Sequence, residues 1–140
     1  MIDIKNLAVK FVNAIKILAD NGTFKDRLLN FPNGCCDDAC DLFAYYLLSE
    51  FGVAVKQFNG YCESKDVYHN WLVMEEHIII DLTIMQFQPS KDRSVNIYFG
   101  PKNDFYSSFE NVNQVPNCDI LCHPNLYVDY KLILCCLSKI

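Results

Sequence analysis

The sequence predicts an α+β fold, and two observations carry the prediction. Apolar residues recur at helical spacing between positions 4 and 51, whereas beyond position 53 they gather in short runs rich in β-formers. Helices therefore come first and strands follow. At 140 residues the chain suits one domain over 1–140, because domains usually run about 100–200 residues. Apolar types make up 51% and charged types 21%, a balance that excludes a disordered chain.

The elements follow in order. Ile4, Leu7, Ala8, Phe11, Ile15 and Leu18 form one apolar helical face, which Asn21-Gly22 ends. A short helical stretch over 24–29 stops before Pro32, since the residue preceding proline avoids the α region. Pro32-Asn33-Gly34 is a turn signal that leads into a second helix. That helix carries Cys36, Cys40, Phe43 and Leu47 on one face and ends at Phe51-Gly52. Residues 53–58 read as a strand and Asn59-Gly60 as a turn. Residues 68–74 and 78–83 read as a hairpin around Glu75-Glu76, and 94–99 as a further strand closed by Gly100-Pro101. The stretch 102–125 is turn-rich, with one helical turn near Ser107. Residues 126–138 fit a closing helix or a strand.

Charge and termini narrow the function. Twelve Lys+Arg against seventeen Asp+Glu give a net charge of −5 with no basic run, which argues against a nucleic-acid partner. No apolar run approaches the roughly 20 residues of a membrane helix, and no basic and apolar leader opens the chain. The expected compartment is the cytoplasm, with non-classical secretion as an effector left open. There the eight cysteines stay reduced. No C-x-x-C occurs, and Cys62, Cys118, Cys122, Cys135 and Cys136 read as small buried hydrophobes.

Cys35 and Cys36 differ, because a glycine turn delivers them to a helix start. Unpaired N–H groups at that end favour a thiolate and can hold an oxyanion. Downstream, one strand carries His69-Asn70-Trp71 and its partner carries Asp81-Leu82-Thr83. A histidine within reach can take the thiol proton and return it to a leaving group. A carboxylate beyond it fixes the tautomer. If the hairpin turn centres on Glu75, His69 stands directly opposite Asp81, on the same face. Asp37 and Asp38 suit a first helical turn and are expected to face solvent.

These residues resemble the transglutaminase-like and papain-like cysteine enzymes. Gly34-x-Cys36-x-x-x-Cys40 is similar to their nucleophile motif, Gly60-Tyr61 to the pair before the histidine, and His69-x-Trp71 with Asp81-x-Thr83 to their H-x-W and D-x-T. The match covers about residues 32–87. The resemblance implies a nucleophile at the N-terminus of a central helix packed on an antiparallel sheet. Cys36 would be nucleophile, His69 general base and acid, Asp81 the orienting carboxylate, with Trp71 packed beside the site. Cys35 is the alternative nucleophile; Gly34 permits close backbone approach, and Asn30 and Asn33 are candidates for the oxyanion side chain. The spacing suits compact bacterial members, which include peptidases, glutamine deamidases and amidases.

The implied reaction is hydrolysis or acyl transfer at an amide through a covalent thioester on Cys36, needing no metal or organic cofactor. The substrate would be a peptide, a protein glutamine or a small amide. A catalytically inert binding or immunity-type module on the same fold is the rival reading. A third is a zinc-stabilised domain using Cys118, Cys122 and His123. His77 falls in the proposed turn, and Phe105, Tyr106 and Phe109 read as packing.

Overall fold

The computed structural model describes residues 2–88 and 97–139. The described residues form an α+β fold of four α-helices and a five-stranded antiparallel sheet. Helix α1 (Ile4–Asp20) starts where the Asp3 carboxylate accepts the Asn6 N–H at 3.0 Å. It buries Ala8, Phe11, Val12 and Ile15 on its predicted face. A 3-10 turn (Arg27–Asn30) replaces the short helix expected over 24–29. Helix α2 (Cys36–Phe51) ends at Gly52, whose φ of +67 is the left-handed conformation glycine adopts at little cost.

The sheet runs β4-β3-β2-β1-β5, built from β1 (Lys56–Cys62), β2 (Val67–Met74), β3 (Ile78–Asp81), β4 (Tyr98–Gly100) and β5 (Glu110–Val115). Short helix α3 (Asp104–Ser107) lies where one helical turn was expected, and α4 (Pro124–Leu137) settles the closing segment as a helix. The His123 side chain accepts the Leu126 N–H at its start, and Pro124 occupies the first turn, where a missing N–H is tolerated. Of the strand expected over 94–99, residues 94–96 lie outside the described residues.

One sheet face carries Leu72, Met74 and Ile80 into a core shared with Phe11, Phe43, Leu47 and Ile133 from α1, α2 and α4. Phe11 and Phe43 meet edge to face with centroids 5.1 Å apart. The opposite face carries Trp71 and Ile79 under Tyr106 and Phe109. Two-sided burial explains why residues 78–82 are almost continuously apolar and not alternating. Among the described residues, no helix is long and apolar enough to cross a membrane.

Three sequence expectations change. Asn59-Gly60 is no turn: it lies inside β1, where Gly60 pairs with His69. A Cβ there would stand 2.9 Å from Phe109 Cβ and 3.0 Å from Trp71 Cη2, so glycine serves close packing and not chain reversal. Strand β5 falls in the stretch read as turns. Its sequence, ENVNQV, is polar and exposed along nearly its whole length, as an edge strand allows. The β2–β3 register also differs. Leu72 pairs with Ile80 and Met74 with Ile78, around a three-residue loop with Glu75 and Glu76 at φ +54 and +68.

Candidate active site

Gly34 has φ +70, a conformation that side-chain-bearing residues rarely adopt. From it the chain enters α2 with Cys35 as N-cap and Cys36 as the first helical residue. The Cys35 side chain makes no capping bond; it is fully buried in the core. Burial, with the neighbouring charge of Cys36, pushes its thiol up to about 12. Cys40, one turn further, is held well above the ordinary thiol range by burial and then by the charge of Asp81. Cys36 is half-buried and lines an open cleft of about 520 Å³. Of the three thiols at this helix end, only Cys36 meets solvent-accessible space.

Asp37 and Asp38 do not simply face solvent. Arg27, on the preceding 3-10 turn, bonds both, at 3.1 Å to Asp37 and 2.6 Å to Asp38. The Asp38 side chain is left only 13% exposed. One guanidinium thus offsets part of the negative charge that these carboxylates set beside the thiol.

His69 and Asp81 are both fully buried, and His69 Nε2 donates to Asp81 Oδ2 at 2.6 Å. Continuing the β2–β3 register sets Asp81 opposite Trp71, so the bonded pair is diagonal on one face and not directly cross-strand. Asp81 has two further donors: Oδ2 also accepts from Tyr106 Oη at 2.7 Å, and Oδ1 from the Thr83 N–H at 3.1 Å. Burial by itself would lower the His69 ring. The charge and hydrogen bond of Asp81 outweigh it, helped by the hydrogen bond and charge of Cys36, and lift the ring from 6.5 to about 9. With Nε2 taken by Asp81, Nδ1 is the ring nitrogen left for another partner, and Gln86 Nε2 lies 3.4 Å from it.

Aromatic rings exclude water around the imidazole. Phe87 meets it edge-on at 4.8 Å, with Trp71 at 5.7 Å and Phe109 at 5.9 Å. Trp71 therefore packs beside the His69 ring. Burial, followed by the Asp81 charge, also raises the Tyr106 phenol, which leaves it a hydrogen-bond donor.

The other candidates separate cleanly. Gly34 lines the cleft, whereas Asn30 and Asn33 are exposed and contribute no side chain to it. His77 is exposed in the β2–β3 loop. His123 caps α4, the Cys122 thiol bonds Asp119 Oδ2 at 3.4 Å, and Cys118 bonds the Asp119 carbonyl. Among the described residues, no group of three His, Cys, Asp or Glu is placed to hold a metal ion. All eight cysteines are free thiols. Cys62 is buried, but Cys122 and Cys135 are exposed and Cys118 and Cys136 half-buried, so the buried-filler reading applies fully to one of these five.

Four polar groups were not singled out by sequence. Gln86, on the 3-10 turn after Thr83, lines the cleft; its Nε2 lies 3.1 Å from Thr83 Oγ1 and 3.4 Å from His69 Nδ1. Gln57, Asn59 and Asn70 form a carboxamide chain along the cleft wall. Asn59 donates to Asn70 at 2.6 Å, Asn70 to Gln57 at 2.7 Å, and Gln57 to Asp41 at 2.8 Å. Gln57 and Asn59 at alternate positions of β1, with Asn70 across the hairpin, are a polar stripe that strand periodicity reveals once the register is known. No family model, curated protein or solved structure matches this chain.

Proposed function

We propose that the chain is a thiol hydrolase or acyltransferase acting on an amide bond, with a papain-like or transglutaminase-like arrangement of Cys36, His69 and Asp81. The observation that supports this most is the buried His69–Asp81 bond of 2.6 Å, which holds the ring by Nε2 while Cys36, at the N-terminus of α2, is among the groups that raise it.

In this reading Cys36 gives its proton to His69 Nδ1, and the sulfur attacks the substrate carbonyl carbon. The carbonyl π bond breaks to an oxyanion, which the free N–H groups at the start of α2 can hold. The oxyanion collapses, the C–N bond breaks, and His69 returns the proton to the departing amine or ammonia. Water or a second amine then gives a proton to His69 and attacks the thioester carbon; the C–S bond breaks and the proton passes to the departing Cys36 sulfur. Asp81 holds the ring by Nε2 throughout, and Tyr106 and the Thr83 N–H hold Asp81.

The test is an intact-mass assay with a peptide vinyl sulfone. The wild-type protein is expected to gain one adduct at Cys36, absent in Cys36→Ala and slowed at least tenfold in His69→Ala. An adduct spread over Cys122 and Cys135, or a rate unchanged in His69→Ala, overturns the proposal. Full burial of the His69 ring is the one observation that favours the inert binding module, which predicts no adduct at Cys36.

A further inference from the structure

We propose that Gln86 is a positioning residue that keeps His69 Nδ1 available as a base, an inference that rests on the thiol-enzyme reading. The partners of His69 pull in one direction. From β3, Asp81 accepts the Nε2–H in a short bond to a negative charge. From α2, Cys36 interacts with the ring and Cys40 stands near Asp81. From α3, Tyr106 bonds the same carboxylate oxygen that His69 does. Lys65 Nζ lies 5.1 Å from the ring centre of Phe105, which is itself 6.3 Å from the His69 ring. Asp81 and Cys36 together favour the imidazolium.

A ring held permanently as imidazolium cannot accept the thiol proton. Gln86 acts the other way. Its amide nitrogen, 3.4 Å from Nδ1, has two N–H groups, and Thr83 Oγ1 takes one at 3.1 Å. The second then points at Nδ1. That bond exists only while Nδ1 is bare, because an N–H donor cannot face the N–H of an imidazolium. A hydrogen bond to the neutral form lowers the affinity for a proton. Gln86 therefore opposes Asp81 on the one nitrogen that must bind and release a proton.

Proton transfer then has a definite course. The Cys36 S–H bond breaks, an Nδ1–H bond forms, and thiolate and imidazolium result. Gln86 lets go of Nδ1 while Thr83 retains the amide, so the carboxamide stays in the cleft and re-forms the bond when the proton leaves. The 3-10 turn (Ile84–Phe87) sets this distance. It also delivers Phe87, whose ring meets His69 edge-on, so one turn supplies both a wall and a donor.

The test is an NMR titration of ring-labelled His69 between pH 6 and 10, in wild type, Gln86→Met and Gln86→Glu. Gln86→Met keeps the length of the side chain and removes the donor. The His69 midpoint is expected to rise by about half to one unit, the tenfold scale of one neutral hydrogen bond. Gln86→Glu is expected to raise it further, because a carboxylate accepts from Nδ1–H. Thr83→Val, which frees the amide from its second partner, is expected to shift the midpoint up by less. The alkaline limb of Cys36 alkylation moves up with His69. A His69 midpoint unchanged within 0.2 unit, or lowered, in Gln86→Met overturns the role of Gln86. Failure of Cys36 to react selectively in wild type sinks the thiol-enzyme reading alone, since the His69 titration is measured without it.

Discussion

Tyr106 and His69 donate to the same oxygen of Asp81, at 2.7 and 2.6 Å, from a four-residue helix and a central strand. The phenol comes from a segment far along the chain, yet it holds the same carboxylate oxygen that the imidazole does. Trp71 and Phe105 pack on Tyr106 with centroids 5.4 and 4.9 Å away, so the donor has little freedom to leave.

Tyr106→Phe deletes the phenolic donor and nothing else. A hydrogen bond to a charged acceptor contributes about 1.5–3 kcal/mol. Urea unfolding is expected to show a loss of about 2 kcal/mol with an unchanged m-value. Loss of under 0.5 kcal/mol would mean that the Tyr106 bond to Asp81 contributes nothing to stability.

Asp81→Ala leaves the buried ring with an unbonded Nε2 and removes the charge that raises it. Breaking one partner of a buried pair costs about 3–5 kcal/mol. The same variant is expected to drop the His69 midpoint from about 9 toward or below its ordinary 6.5. NMR on the folded fraction checks it; a midpoint still near 9 would assign the shift to some other group.

The raised His69 ring also sets a pH dependence of stability. Its folded value of about 9 exceeds the ordinary 6.5, so the folded state holds the proton more tightly than the unfolded chain does. The contribution is full below pH 6.5 and is lost as pH rises through about 9. Its size is on the order of 3 kcal/mol at one 1.36 kcal/mol step per unit. Thermal melts from pH 6 to 10 are expected to show this decline, and His69→Gln to remove it. A wild-type decline identical to that of His69→Gln contradicts the assignment.

Gly60→Ala tests the packing that surrounds the site. The added methyl would meet Phe109 Cβ at 2.9 Å and Trp71 Cη2 at 3.0 Å. Overpacking of this kind costs about 1–3 kcal/mol. Chemical denaturation reads it directly, and a neutral result would mean that Phe109 and Trp71 yield freely.

Much of this was legible from local patterns. The apolar face of α1, the glycine stop of α2 and the loop between β2 and β3 follow from spacing and turn chemistry alone. Gly34, Cys36, His69 and Asp81 could be picked out because each sits at an element whose type the sequence declares. The rest depended on long-range packing. Asn59-Gly60 carries a strong turn signal, but the glycine answers to Phe109 and Trp71, which are remote in sequence. Edge strand β5 has no alternation to detect, because solvent covers most of its side chains. The hairpin is centred on Glu76 and not on Glu75, which makes the His69–Asp81 pair diagonal instead of direct. Gln86 and Tyr106 become meaningful only once the position of Asp81 is known.

The most direct test of the central claim is iodoacetamide alkylation against pH, with mass mapping of every modified cysteine. Cys36 is expected to react selectively near neutral pH, well ahead of the exposed Cys122 and Cys135, and to lose that advantage in folded His69→Ala. Equal, slow labelling of Cys36, Cys122 and Cys135, or a Cys36 rate indifferent to His69→Ala, would contradict it.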